Sequence, residues 1–199
     1  GDDQLFNYIQ DLGIDDMLES YNDATVLEFD FVPLTGHMKF PFVFASEEYG
    51  SFQCDYSDAF AFFLTAPDGT VTNLAVLPNS ATPVSVITIR DGAYNSDCDS
   101  VNPQYFDEYY GDDMAGLDPN IAPANYQGNT VQLMAEADVL INETYHIKLV
   151  IADRNDHAYN SAVFIGPFDI GNIDLGIDLT MADGNAICAN ETYTIDSHL

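Results

Sequence analysis

The chain has 199 residues, of which 47% are hydrophobic and 13% aromatic, so it carries enough apolar surface for one buried core. Its 33 acidic residues stand against four basic ones, which gives a net charge of -29. This balance excludes nucleic-acid binding through phosphate contacts and argues against docking on an anionic membrane surface. It favours the binding of cations, either as diffuse counterions or as tightly held Ca²⁺.

The acidic residues are mostly aspartates, with 25 Asp and 8 Glu beside 15 Asn. Asp and Asn favour turns, caps and oxygen-rich metal loops, whereas helices tolerate Glu better. The composition therefore predicts a loop-rich β protein. The longest uncharged segment, residues 69–89, contains two prolines and several polar residues, so we predict no membrane-spanning segment.

The N-terminal segment, residues 1–21, is predicted to hold one or two short helices packed on the main domain, because apolar residues recur near one helical face from Leu5 to Leu18. After this segment the hydrophobic period changes to two, which indicates strands. The predicted strands cover residues 24–31, 38–44, 59–65, 71–77, 84–90, 130–135, 145–152 and 161–170. Because no helix separates successive strands, residues 22–170 are predicted to form an all-β, antiparallel two-sheet β-sandwich of the jelly-roll or lectin-like type.

The strands are predicted to supply the core from their inward faces. Residues two apart lie on the same face of a strand, so each strand contributes one set of apolar side chains. The predicted core residues are Leu27, Phe29, Phe31, Phe40, Phe42, Phe44, Phe60, Phe62, Ile147, Leu149 and Ile151.

Residues 91–128 interrupt the strand pattern with a long Asp- and Tyr-rich loop. A loop of this length inside a compact domain is typical of a functional segment, and its many aromatic residues predict an ordered one. Aromatic faces stack on sugar rings while Asp and Asn bind hydroxyl groups, so the loop is a candidate polysaccharide site. The alternative is that its tyrosines form a half-buried loop core. The candidate ligand-binding residues are Tyr94, Tyr105, Tyr109 and Tyr110.

The three cysteines have none of the spacings of zinc or redox sites. Cys54 and Cys98 both lie in Asp- and Ser-rich loops, where they either form a disulfide or remain two free thiols. In an extracellular protein we expect the disulfide. Cys188 has no predicted partner within the chain.

Five segments form an ordered series over roughly residues 22–168: TVLEFDFVP, FPFVFASEEYGSF, SDAFAFFLTAP, NLAVLPNSATPVSV and YHIKLVIADRNDHAYNSAVFI. This series resembles the bacterial choice-of-anchor L domain, a module of large secreted surface proteins that is common in Bacteroidetes. Two motifs depart from the family pattern: this chain has SDAFAFF where the family usually has NDxFAFF, and NSAVF where it usually has DSAVF. The resemblance implies an extracellular or cell-surface, multidomain context, often with type IX secretion, and no established reaction.

The C-terminal residues 171–199 alternate only weakly and end without a closing partner strand. The segment DLGIDLTMADGNAICANETYTID resembles the start of an Ig-like repeat. We therefore predict a linker followed by the first strands of an incomplete Ig-like domain.

Acidic residues also gather at the ends of predicted strands, and strand ends meet at the rims of a sandwich. Ca²⁺ takes about six to eight oxygen ligands from such loops, so we predict one structural calcium ion. The alternative is that each acid is a solvated turn residue. The predicted ligands or their immediate neighbours are Glu47, Glu48, Asp58, Asp153 and Asp156. A second metal candidate, which lacks the EF-hand spacing, consists of Asp112, Asp113, Asp118 and Asn120.

No HExxH, GxSxG or phosphate-loop motif is present, so catalysis has little support from the sequence. The leading hypothesis is a non-catalytic, calcium-stabilised surface or adhesin module of a larger secreted protein, within a filament or stalk. Its expected partners are neighbouring domains of the same polypeptide, other copies of the chain or a surface glycan, with neither nucleic acid nor membrane insertion. The alternative is a lectin-like polysaccharide-binding domain, and the third hypothesis is a glycosidase that uses Glu47 and Asp58 as its carboxylate pair.

Overall fold

The computed structural model describes residues 1–111 and 116–171. These residues contain one α-helix and nine strands. The elements are α1 (Asp3–Leu12), β1 (Tyr21–Phe31), β2 (His37–Ser46), β3 (Ala59–Thr65), β4 (Val71–Asn73), β5 (Phe106–Tyr109), β6 (Gly128–Thr130), β7 (Leu133–Asp138), β8 (Tyr145–Arg154) and β9 (Ser161–Ile165). The predicted Ig-like segment begins at residue 171 and otherwise lies outside the described residues, as does Cys188.

Two antiparallel sheets face each other. The first has the strand order β1-β8-β3-β4, and the second has the order β5-β6-β2-β7, with β9 also paired to β2. The all-β, antiparallel two-sheet sandwich predicted from the sequence is confirmed. A single short helix accompanies it.

Phenylalanines from the two central strands form the middle of the core. Phe40, Phe42 and Phe44 of β2 lie two residues apart, so they share one face of the strand and meet Phe60 and Phe62 of β3. The ring centroids of Phe44 and Phe60 are 5.0 Å apart, and those of Phe42 and Phe62 are 5.1 Å apart. The period-two pattern in the sequence predicted this contact.

Leu27 is a correction to the predicted core, because 57% of its surface is exposed. It pairs with the buried Leu149 and so lies on the same side of the sheet. However, β1 is the edge strand of its sheet, where the cover from the second sheet is incomplete at Leu27. Phe29 and Ile151 are only partly buried against the core.

Helix α1 covers the outer face of the first sheet. It begins at the Asp2 cap, whose carboxylate accepts a hydrogen bond from the Leu5 amide at 2.9 Å, and it ends at Gly13 in the left-handed conformation. Leu5 and Ile9 are four residues apart and both are buried. They pack on Ala59, Ala61, Phe63, Val150 and Ala152, whose small alanines leave room for the helix.

The predicted strand at residues 84–90 is wrong. The Thr88 hydroxyl accepts a hydrogen bond from the Ser85 amide and donates one to the Pro83 carbonyl at 2.6 Å, so local side-chain bonds replace a strand ladder. The segment is nevertheless buried, as its apolar residues predicted, with Val86 and Ile89 fully inaccessible. The long loop, in turn, contains the short strand β5, which the sequence pattern did not reveal.

A disulfide joins Cys54 to Cys98, with the two Cα atoms 5.5 Å apart. The sequence had left this pairing open against two free thiols. The bridge ties the loop after β2 to the long loop that follows β4. Among the described residues, no helix is long and apolar enough to cross a bilayer.

Candidate functional site

Four strand ends meet at one rim of the sandwich. Strands β2 and β8 end there at Ser46 and Arg154, while β3 and β9 begin there at Ala59 and Ser161. Ser46 pairs with Ser161, and Ala59 lies opposite Ala152, two residues before the end of β8. The acidic residues singled out in the sequence flank these ends.

Glu48 and Asp58 form a buried carboxyl pair at this rim, with exposed fractions of 2% and 1%. The Asp58 amide donates to Glu48 Oε2 at 2.7 Å, and the Arg154 amide donates to Asp58 Oδ1 at 3.1 Å. Glu48 Oε2 also lies 3.4 Å from the Ser46 hydroxyl. Asp58 Oδ2 is buried without a hydrogen-bond partner among the described residues.

Both carboxyl groups of the pair are shifted toward the protonated form. Burial raises the pKa of Glu48, and the nearby charge of Asp58 raises it further. Burial likewise raises the pKa of Asp58, helped by the charges of Asp153 and Asp156 and opposed by hydrogen bonds from Ser161 and from the Arg154 amide. The single proton of the Ser161 hydroxyl is, however, donated to Ser46 Oγ at 2.9 Å, which leaves Asp58 Oδ2 without that donor. A bound proton or a bound cation would therefore stabilise the pair.

The guanidinium of Arg154 does not supply that cation. Its Nε and Nη2 atoms donate to the carboxylate of Asp15, and Nη1 donates to the Asp55 carbonyl at 2.9 Å. Both side chains of this ion pair are almost fully buried. The charge of Arg154 is thus neutralised by Asp15, and the carboxyl pair lacks a basic partner within the described part of the chain.

The other three predicted calcium ligands have different surroundings. Glu47 continues the pairing of β2 with β9: its amide donates to the Asn160 carbonyl, and its Oε2 accepts from the Asn160 amide at 2.9 Å. Asp156 Oδ1 accepts from the Ala158 amide at 2.9 Å. Asp153 is half-buried, and burial followed by the charge of Asp23 raises its pKa. Asp153 and Asp156 therefore act on the carboxyl pair through their charge.

Two features of the rim are compatible with a bound cation: its negative charge and the Asp58 Oδ2 atom, which has no hydrogen-bond partner among the described residues. Within residues 1–111 and 116–171, no three His, Cys, Asp or Glu side chains come close enough together to hold a metal ion. The described residues thus offer two carboxylates, Glu48 and Asp58, and a bound Ca²⁺ would take its remaining oxygens from hydroxyls, carbonyls or water.

The second metal candidate is only partly described. Asp118 Oδ1 accepts from the amide and from the side chain of Asn120, and these bonds cap a short 3₁₀ turn and lower the pKa of Asp118. Asp112 and Asp113 lie outside the described residues. Asp118 and Asn120 therefore have a local structural role as a turn cap.

A cavity of about 380 Å³, partly open to solvent, lies beside the rim. We call it the tyrosine cavity; the lining residues that matter here are Glu47, Tyr49, Tyr109, Tyr110, Asn125 and Tyr126. Two glycines allow tyrosine rings to pack directly on the backbone. A Cβ on Gly128 would lie 2.8 Å from the Tyr49 ring, and one on Gly50 would overlap Tyr109.

The four tyrosines predicted as ligand-binding residues divide into two groups. Tyr109 and Tyr110 line the tyrosine cavity. Tyr94 and Tyr105 pack against the core instead, with the Tyr94 ring 4.9 Å from the Tyr109 ring. The interpretation as a half-buried loop core thus fits Tyr94 and Tyr105, whereas ligand binding by Tyr109 and Tyr110 stays a prediction.

The sequence-based reasoning missed Tyr49, Asn125 and Tyr126 as lining residues of the cavity. Tyr49 directly follows Glu48, and Asn125 and Tyr126 lie in the long loop, but nothing in the sequence pattern brings these segments together. The glycosidase pair also separates: Glu47 lines the cavity, whereas Asp58 is buried outside it. The two carboxylates do not face each other across a cleft.

Comparison with protein-family models places the chain in a known family. The model of the family described as "Choice-of-anchor L domain" matches residues 1–168, which include helix α1 as well as the sandwich. No curated protein and no solved structure matches the chain.

Proposed function

The chain belongs to the choice-of-anchor L domain family, a family of surface-associated modules, and from this premise we propose that it is a non-catalytic, calcium-stabilised extracellular module of a larger bacterial surface protein. The observation that carries this proposal is the family match over residues 1–168, which spans both sheets and the helix. Its partners in this role are the neighbouring domains of the same polypeptide and, in a filament or stalk, further copies of the chain.

The composition and the disulfide support an extracellular location. Disulfides persist in oxidising compartments outside the cytosol, and Cys54 and Cys98 are bridged. A net charge of -29 keeps surface modules apart unless cations screen or bind them. Secretion by the type IX route and an origin in Bacteroidetes are part of this proposal.

The calcium part of the proposal is supported by the carboxyl pair. Asp58 Oδ2 is buried without a partner among the residues that the structure describes. Two buried acids that lack a basic neighbour there would be stabilised by a divalent cation. Asp153 and Asp156 add negative charge at the same rim. Glu48 and Asp58 are the proposed ligands.

Thermal unfolding tests the calcium part. A cation that binds only the folded chain stabilises it by about 2.7 kcal/mol at a hundredfold excess over Kd. We expect the melting temperature to rise more with CaCl₂ than with MgCl₂, because Mg²⁺ demands a regular octahedral shell and holds its water. Equal shifts from CaCl₂, MgCl₂ and NaCl at matched ionic strength would indicate screening of the -29 charge and contradict a calcium site.

Polysaccharide binding is the second candidate function, and the tyrosine cavity is the observation that favours it. Aromatic rings and amide side chains converge on a solvent-open space beside the rim. Binding of the chain to a polysaccharide array, without release of shorter products, would support this function over both a purely structural module and a glycosidase.

A further inference from the structure

We propose that the tyrosine cavity is a subsite for one neutral sugar residue of a surface polysaccharide. This inference rests on polysaccharide binding, the second candidate function, and adds the place and the chemical class of the ligand. It is independent of the calcium site, because neither Glu48 nor Asp58 lines the cavity.

The size of the cavity suits a single ring. At about 380 Å³ it lies near the lower end of the range of roughly 300–1,000 Å³ that is typical of ligand pockets. Its space is enough for one sugar residue with ordered water, whose neighbours in the polysaccharide extend into solvent.

The inner wall of the cavity is rigid. Tyr49 and Tyr109 are almost fully buried, and their rings pack on the backbones of Gly128 and Gly50. The Tyr49 ring also meets the Phe106 ring at 4.8 Å. Such packing fixes the lining before a ligand arrives, so binding costs little conformational entropy.

Tyr49 also carries an unsatisfied polar atom. Its hydroxyl is buried and has no hydrogen-bond partner among the described residues. Buried polar groups in folded proteins are almost always paired, with the protein, with water or with a ligand. Because Tyr49 is one of the residues that line the cavity, we infer that a hydroxyl of the bound sugar, or a water held beside it, is the partner of this group.

The outer lining combines the groups that recognise sugars. Tyr110 and Tyr126 are half-buried and offer ring surface, while Asn125 and Gln127 offer amides. An amide both donates and accepts hydrogen bonds, which matches a hydroxyl group that does the same. An organic cation would use only the acceptors and would leave the amide donors unpaired.

The charge of the site selects a neutral ligand over an anionic one. Glu47 lines the cavity, and no basic residue is among the described residues that line it. The chain as a whole carries -29, so uronic or sialic acids would be repelled from this surface. Neutral hexoses and N-acetylhexosamines meet no such penalty.

Saturation-transfer NMR with methyl glycosides of glucose, galactose, mannose and N-acetylglucosamine tests the proposal on the full chain, with methyl glucuronide as the anionic probe. We expect transfer to at least one neutral glycoside and none to the glucuronide, both in CaCl₂ and in EDTA. Tyr110→Ala and Tyr126→Ala should each raise Kd at least tenfold. Tyr56→Ala, which changes an exposed tyrosine outside the cavity, should leave Kd unchanged.

Asn125→Ala keeps the test decisive if a tyrosine variant fails to fold, because Asn125 is exposed and its loss leaves the core intact. It should also weaken binding at least tenfold, with an unchanged melting temperature. Transfer to none of the neutral glycosides would overturn the proposal. Array binding that survives in Tyr110→Ala and Asn125→Ala would retain polysaccharide binding as a function but overturn its assignment to this cavity.

Discussion

The backbone amide of Asp58 donates to the carboxylate of Glu48 at 2.7 Å, although the two residues are ten positions apart and both are buried. This bond places two acids in one polar pocket at the sandwich rim. Because Arg154 is paired with Asp15, no basic side chain among residues 1–111 and 116–171 balances them. The stability of the rim should therefore respond to whatever cation or proton occupies it.

Substitution of the carboxyl pair should remove the calcium response. In Asp58→Asn and Glu48→Gln, we expect the part of the melting-temperature increase that is specific to CaCl₂ to disappear, while the general effect of NaCl remains. Differential scanning calorimetry in the three salts measures this. The matched control is Asp118→Asn, an exposed turn cap, which should keep the full response to calcium. A full response in both pair variants would contradict the assignment.

Without calcium, the stability of the wild-type chain should fall as the pH rises. The folded-state pKa values of Glu48 and Asp58 are raised above the ordinary carboxyl range near 4, so the folded chain retains protons that the unfolded chain loses. For each such proton, the free energy of unfolding falls by about 1.4 kcal/mol per pH unit as the pH rises from the unfolded-state pKa to the folded-state pKa. The contribution is therefore complete below about pH 4 and is lost toward neutral and alkaline pH.

Glu48→Gln isolates this effect, because glutamine keeps the acceptor for the Asp58 amide and does not titrate. In EDTA, the free energy of unfolding of Glu48→Gln should increase relative to that of the wild type as the pH rises from 5 to 8. Urea titrations at several pH values measure the difference. Parallel pH profiles for wild type and Glu48→Gln would mean that ionisation of Glu48 does not lower the stability of the folded chain.

The sequence was sufficient for the sandwich and only partly sufficient for the site. Phenylalanines two apart in β2 and β3 are a strong signal, because strand geometry alone decides which face they share. The same parity runs on through Phe44, Ser46 and Glu48, all buried, so it could have indicated that Glu48 rather than Glu47 points inward. The tyrosine cavity has no such signal, since it joins segments that only the tertiary fold brings together.

Removal of the disulfide should destabilise the chain substantially. Cys54 and Cys98 are 44 residues apart, and closing a loop of that length stabilises the fold by about 4 kcal/mol in the chain-entropy model. We expect a loss of this order in the Cys54→Ala/Cys98→Ala double variant, measured by urea denaturation. Mass spectrometry after alkylation should find one labelled thiol in the oxidised chain and three after reduction. Three labelled thiols before reduction would contradict the bridge.

Removing one partner of the Arg154–Asp15 ion pair should destabilise the chain more than replacing both partners with apolar residues. Both side chains are almost fully buried, so Arg154→Ala leaves the Asp15 carboxylate without its partner, and we expect a loss of about 3–5 kcal/mol. The double variant Arg154→Leu/Asp15→Leu removes both charges together and should recover much of that loss.

Arg90→Ala is the control, because the guanidinium of Arg90 donates hydrogen bonds to the carbonyls of Asp99 and Gln53. Its removal should cost about 1 kcal/mol. Urea denaturation of the wild type, Arg154→Leu, Asp15→Leu and the double variant gives the coupling free energy between Arg154 and Asp15. A double variant that is no more stable than Arg154→Ala would mean that the loss comes from packing and from the bond to the Asp55 carbonyl rather than from the unpaired charge.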